Sequence, residues 1–171
     1  MRKQNKITLR EFKKNDLADE SDIDILISLI CGSFHDVAKR FELTKENCPK
    51  FVAFYTKERL SGDLEKGMKY YILLEDDQPC GCVALEQAKP DVCYLERLAV
   101  LPKYRNKGYG NMLVNHIFKQ AIQLGVKQVE LTMMSKNRKL KNWYKKFGFA
   151  QKCTKKFDHL PFIVAFMYKD L

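Results

Sequence analysis

Residues 94–113 hold the side chains whose types and spacing could do chemistry. They run from the apolar stretch Tyr94-Leu95-Glu96-Arg97-Leu98-Ala99-Val100 into the basic glycine loop Arg105-Asn106-Lys107-Gly108-Tyr109-Gly110. Two glycines one residue apart let backbone approach a ligand closely, and free N–H groups at the start of a helix form a nest for an anion. Lys103, Arg105 and Lys107 surround that nest with positive charge, so a pyrophosphate would meet dipoles and cations together. By itself, a glycine turn between strand and helix leaves an ordinary surface turn equally open. The Walker loop needs GxxxxGK followed by Ser or Thr, and the dinucleotide fingerprint needs a third glycine where Asn111-Met112-Leu113 stands, so neither nucleotide motif fits. Period-two alternation puts Glu96 on one strand face with Leu98 and Val100, where a carboxylate is costly unless used. Glu96 is therefore a candidate for proton transfer, a salt-bridged strand carboxylate being the alternative reading, and Tyr94 falls on the same face.

The elements that must position this segment follow from periodicity. Ile7–Phe12 reads as a first strand, and Ser21 with Asp24 resembles the cap of a helix whose buried stripe is Leu26, Ile30, Phe34, Val37 and Phe41. Residues 51–60 read as a second helix, with Pro49 suited to its first turn. Residues 70–74 and 80–85 form a hairpin, and Val92–Val100 is a strand long enough to be central. After Gly110 a helix with Leu113, Ile117, Ala121 and Leu124 on one face stops at Gly125 and leads into the strand Gln128–Met134. A strand-helix-strand crossover of this length makes its two strands parallel neighbours. A helix over 137–147 stopped at Gly148 and strands over 150–157 and 162–169 complete a mixed sheet.

The loop residues Arg105 to Gly110 match the pattern Arg or Gln-x-x-Gly-x-Gly or Ala, and the chain resembles the GNAT N-acetyltransferase superfamily. Residues 137–149, Asn-Arg-Lys-Leu-Lys-Asn-Trp-Tyr-Lys-Lys-Phe-Gly-Phe, are similar to that family's later signature, departing from it at Leu140, where Ala is frequent. The resemblance implies a single GNAT-like domain over residues 1–171, of α/β (α+β) class, with a mixed, mostly antiparallel sheet, one parallel central pair and helices on both faces. It implies acetyl-CoA as co-substrate, no metal, and acetyl transfer to a primary amine of a small molecule or peptide by direct attack on the thioester. Carried over residue by residue, backbone groups of Leu98 and Val100 and the side chain of Asn137 would hold pantetheine, while Arg105, Asn106, Lys107, Gly108, Tyr109, Gly110 and Asn111 would hold pyrophosphate. The Val100 N–H would face the acetyl oxygen. Tyr144 matches the family's general acid, with a core-edge tyrosine as the alternative, and Glu96 is the candidate base, acting directly or through a water.

Composition narrows the field further. With 171 residues, 46% hydrophobic and 30% charged, the chain suits one folded domain, and no apolar run approaches the roughly 20 residues of a bilayer crossing. The basic start, residues 1–6, has no apolar stretch behind it, so a cytoplasmic location is expected. Six cysteines, at 31, 48, 80, 82, 93 and 153, show no metal-ligand spacing; Cys80 and Cys82, two apart, read as core fillers on one side of a strand. Residues 1–100 carry 16 basic and 18 acidic side chains, and residues 101–171 carry 15 and 3, so the C-terminal part attracts anions. A non-catalytic CoA-binding module and a basic nucleic-acid-binding protein are the rival readings, the latter without a recognised motif. The acidic N-terminal part suggests a cationic acceptor such as a polyamine, an aminoglycoside or a lysine side chain. An apolar last strand, 162–169, suggests pairing with a second copy. Trp143 is expected in the core, His116 at a helix margin, and the lysine-rich 136–146 stretch on a solvated face.

Overall fold

Seven strands, β1 (Ile7–Phe12), β2 (Lys69–Glu75), β3 (Gln78–Lys89), β4 (Val92–Val100), β5 (Gln128–Met134), β6 (Ala150–Lys156) and β7 (Ile163–Asp170), form one sheet in the order β1-β2-β3-β4-β5-β7-β6. The computed structural model describes residues 5–13, 16 and 19–171; residues 1–4, the front of the basic start, lie outside them. Every neighbouring pair is antiparallel except β4 and β5. The helices are α1 (Glu20–Arg40), α2 (Lys57–Glu65), α3 (Tyr109–Gln123) and α4 (Arg138–Lys145). Leu26, Ile30 and Leu60 of α1 and α2 pack over Phe12, Tyr70 and Cys82 on one face. Leu113, Ile117 and Tyr144 of α3 and α4 pack over Leu73, Leu95 and Leu131 on the other.

Local chemistry moves several expected boundaries. Asp19 rather than Ser21 caps α1, its carboxylate accepting from the Ser21 N–H at 2.9 Å. The helix expected over 51–60 divides into a 3-10 turn, Val52–Phe54, and α2, because Thr56 takes an extended conformation and its hydroxyl accepts from the Arg59 N–H. In the β2–β3 hairpin, Asp76 and Asp77 both have positive φ (48° and 63°), the geometry of a tight two-residue turn.

Two bulges break the period-two reading. Leu73 pairs with Gly81 but Leu74 with Pro79, so Cys80 is an extra residue in β3. Cys80 therefore packs under α3 and Cys82 under α1, on opposite faces, which corrects the expectation that they point the same way. Burial pushes their thiols up to about 11 and about 12. The second bulge lies in β4, where three residues from Glu96 to Ala99 are spanned against two from Cys82 to Ala84. Arg97 takes φ 52° there, left-handed for a residue with a full side chain, a strain of about 1–3 kcal/mol.

The last strand is not an edge. β7 lies between β5 and β6, which removes the physical ground for pairing a second copy there. The edge on that side is β6, exposed along its length and carrying Lys152, Lys155 and Lys156, charges that disfavour strand addition, and the other edge is β1. Among the described residues no helix is long and apolar enough to cross a membrane.

Candidate active site

β4 and β5 pair over only three residues, Val92, Cys93 and Tyr94 against Gln128, Val129 and Glu130, after which the strands part. Since the Leu101 N–H donates to Cys80 O in the β3 ladder, alternation aims Ala99 at β3 and the backbone N–H and C=O of Val100 and Leu98 away from it, into the gap. Two cavities meet at this gap. One of about 390 Å³ is lined by the glycine loop, the start of α3 and Ser33, Phe34 and Arg40 of α1. The other, about 380 Å³, is lined by Glu96, Tyr144, Phe51, Met133, Phe162 and the α2 residue Arg59. Leu98, Asn137, Leu140, Phe34 and Val37 line both.

In the first cavity, Gly108 caps α3 with φ 84°, a conformation a glycine adopts without strain. No hydrogen bond among the described residues engages the backbone N–H groups of residues 106–111, and all of these residues except Lys107 line the cavity, which leaves a run of unengaged donors beside it. Gly110 has a different constraint. A Cβ there would stand 3.1 Å from the Trp143 ring, so the indole, half-buried where it packs against the core and lines the cavity, would have to give by a few tenths of an ångström to admit a side chain.

The loop's side chains do less than its backbone. Arg105 is turned onto α1 and the end of β4, donating to Asp36 at 2.6 Å, to Ser33 O at 2.7 Å and from Nε to Val100 O at 3.1 Å. Lys107 Nζ pairs with Glu75 at 3.0 Å, and the buried Tyr109 hydroxyl donates to the same carboxylate at 2.6 Å. The ring of free cations expected around the nest is thereby corrected: Arg105 and Lys107 are held by carboxylates, tying the loop to α1 and to the end of β2. Arg105 holds the Asp36 carboxyl below its ordinary range, and the Tyr109, Asn5 and Lys107 donors do the same for Glu75. Lys103 lies over the Tyr104 ring at 4.9 Å. Lys139 of the solvated lysine-rich face reaches the cavity lining.

Asn137 is buried and caps α4, its Oδ1 accepting from the Leu140 N–H at 3.3 Å. Its amide NH2 has no partner among the described residues, at the place where the cavities join.

The β4 bulge decides what faces the second cavity. Leu98 and Val100 pack with Leu95 against the α3 and α4 side, three residues apart at the bulge, while Ala99 joins the α1 and α2 side. The expectation that Glu96 shares a face with Leu98 and Val100 is thus overturned by the extra residue. Glu96 instead accepts from Arg97 Nη1 at 2.7 Å. Arg97 Nη2 donates to Asp63 of α2 at 3.2 Å, and the same carboxylate accepts from Tyr55 at 2.5 Å and Tyr70 at 2.9 Å. Burial raises the Glu96 carboxyl above its ordinary pKa; Arg97 opposes this, while Glu86 and Asp63 add to it. Burial also pulls Asp63 upward, but the Tyr55, Arg97 and Tyr70 donors outweigh it and hold the group below its usual range. Burial and then the charge of Glu96 raise the Tyr144 phenol, so it stays protonated at neutral pH. No hydrogen bond among the described residues engages that hydroxyl.

The Asp63-Tyr55-Tyr70 cluster escapes the sequence reading because the second helix was expected to end at Leu60. One signal was available: Asp63 follows Leu60 by three residues, a carboxylate on the apolar stripe. His116 is half-buried, edge-on to Tyr71 at 4.3 Å, and takes no part in either cavity. Among the described residues, no three His, Cys, Asp or Glu side chains come together as a metal group.

The splayed parallel pair with a backbone nest beside it is the architecture of an acyl-CoA-dependent acetyltransferase. Residues 34–149 match the acetyltransferase (GNAT) family, more than half of the chain, and the chain belongs to that family. Over 69 residues it is 35% identical to the thialysine N-epsilon-acetyltransferase of Mus musculus, and over 55 residues 36% identical to the L-ornithine N5-acetyltransferase NATA1 of Arabidopsis thaliana. These stretches span 40% and 32% of this chain, and only 40% and 24% of the length of those relatives. Among solved structures, the PaiA N-acetyltransferase of Thermoplasma acidophilum in complex with coenzyme A has the same fold at 20% identity, with TM-score 0.75 over 97% of this chain and 99% of that one. A GNAT acetyltransferase of Elizabethkingia anophelis with acetyl-CoA bound matches with TM-score 0.65 at 15% identity, over 96% and 98%.

Proposed function

We propose that the chain works as one domain over residues 1–171 that transfers an acetyl group from acetyl-CoA to a small-molecule primary amine. The observation that carries this reading is the gap between β4 and β5, with unengaged backbone donors of residues 106–111 at one mouth and Glu96 and Tyr144 at the other. Bound there, acetyl-CoA would supply the acetyl thioester. The donors of residues 106–111 would hold its pyrophosphate, and the backbone of Leu98 and the Asn137 amide its pantetheine. The Val100 carbonyl is taken by Arg105, so Val100 contributes its N–H, a donor for the charge that gathers on the acetyl oxygen, worth about 3 kcal/mol.

Glu96 accepts the proton of the incoming ammonium, directly or through a water, and burial, which raises its pKa, makes it a stronger base than an ordinary carboxylate. The freed amine nitrogen forms the new N–C bond as the C–S bond breaks; Tyr144 donates its phenolic proton to the departing sulfur, and the second proton of the nitrogen passes through water to restore the Tyr144 phenol, leaving a neutral amide and the thiol. The test is acetylation of a pooled amine panel read by mass spectrometry. In Tyr144→Phe, transfer should slow about ten- to a thousandfold with coenzyme A affinity nearly unchanged. Unaltered turnover would remove Tyr144 from the mechanism, and no product from any amine would overturn the enzyme reading.

A further inference from the structure

The second cavity has a charge pattern at odds with the polycationic acceptors suggested by the acidic N-terminal half. Its charged lining is one carboxylate, Glu96, against Arg97, Arg59 and Lys50. Arg97 is committed to Glu96 and Asp63. Arg59 is not committed to any acid. Its guanidinium is half-buried, held over the Tyr55 ring at 5.1 Å and by one bond from Nη1 to Lys50 O at 2.5 Å. Among the described residues neither Arg59 nor Lys50 has a carboxylate within ion-pair distance, and Nε and Nη2 of Arg59 have no partner. Burial, then the neighbouring charge of Arg97, lower the Arg59 pKa against the opposite pull of Tyr55, Asp63 and Tyr70. The same cavity has an apolar lining that includes Phe34, Phe51, Leu131 and Met133.

We propose that Arg59, with Lys50 at the rim, forms a carboxylate subsite. The acceptor is then a primary amine that also carries a carboxylate on an apolar spacer, the amine delivered to Glu96 and the carboxylate to the free edge of the guanidinium. A planar guanidinium with two unused donors on one edge matches a carboxylate in two-point contact, whereas a second ammonium there would meet two cations. This rests on the acetyltransferase reading for the role of Glu96 but not for the subsite itself.

The test titrates the chain, saturated with non-acetylated coenzyme A, with 6-aminohexanoate, 1-aminohexane and 1,6-diaminohexane by calorimetry, and follows acetylation of the same three compounds by mass spectrometry. The parent should bind 6-aminohexanoate about ten- to a hundredfold tighter than the other two. Arg59→Gln should abolish the preference and Arg59→Lys should keep part of it. Equal or tighter binding of the alkylamine or diamine by the parent, or no binding of any of the three, overturns the subsite. A preference for 6-aminohexanoate without any acetylated product supports the subsite and overturns the enzymatic role of Glu96 and Tyr144. Acetylation of all three without preference does the reverse.

Discussion

Replacing Asp63 with Asn tests the buried network that sets the position of Glu96. One carboxylate oxygen accepts from Tyr55, Tyr70 and Arg97, and the Asp63 and Arg97 side chains are only 9% and 12% exposed. Removing one partner of a buried ion pair costs about 3–5 kcal/mol because the other charge stays buried. Asn keeps an acceptor and Arg97 keeps Glu96, so the lower end, about 3 kcal/mol, is expected. For a chain of this length that lowers Tm by roughly 6–12 °C. The Asp63 carboxyl is depressed in the folded state, so its contribution is full above the ordinary carboxylate pKa and is lost as pH falls through the lower folded value. Urea denaturation of parent and variant should therefore differ most at neutral pH and converge on acidification. A variant within 1 kcal/mol of the parent at pH 7, or a difference that grows as pH falls, would refute the network. The same substitution removes a negative charge beside Glu96, so the acidic limb of the kcat/KM profile should move to lower pH.

Glu96→Gln should cost roughly 10²–10⁴ in rate at neutral pH and recover in part at alkaline pH, where the amine loses its proton unaided; a pH profile like the parent's would discard Glu96 as the base. The Glu96 carboxyl is raised in the folded state, so its ionisation opposes folding, and Glu96→Gln should gain stability relative to the parent as pH rises through that pKa, measured by the same urea titrations. Gly110→Ala presses a methyl group against the Trp143 ring and should destabilise the chain by about 1–3 kcal/mol. In a Trp143→Leu background that cost should vanish, and its persistence would show that the glycine serves something other than the indole.

Local rules made much of this molecule legible in sequence. The strands Ile7–Phe12, Val92–Val100 and Gln128–Met134 follow from apolar alternation. The starts of α3 and α4 follow from Gly108 and Asn137, whose conformation or side chain satisfies the helix end locally. The glycine loop marks a phosphate nest because free N–H groups depend only on backbone direction. Where one inserted residue reverses every side chain beyond it, the pattern fails: Cys80 and Arg97 are such residues, and no local preference announces a bulge. The tertiary structure alone decided that Glu96 faces Arg97 and Asp63, that Arg105 and Lys107 are held by Asp36 and Glu75, and that Arg59 reaches the second cavity. Those partners lie 32 to 69 residues apart for the ion pairs of Asp63, Glu75 and Asp36. A charge's partner is chosen by packing between distant elements, and that choice is absent from the spacing of residues along the chain.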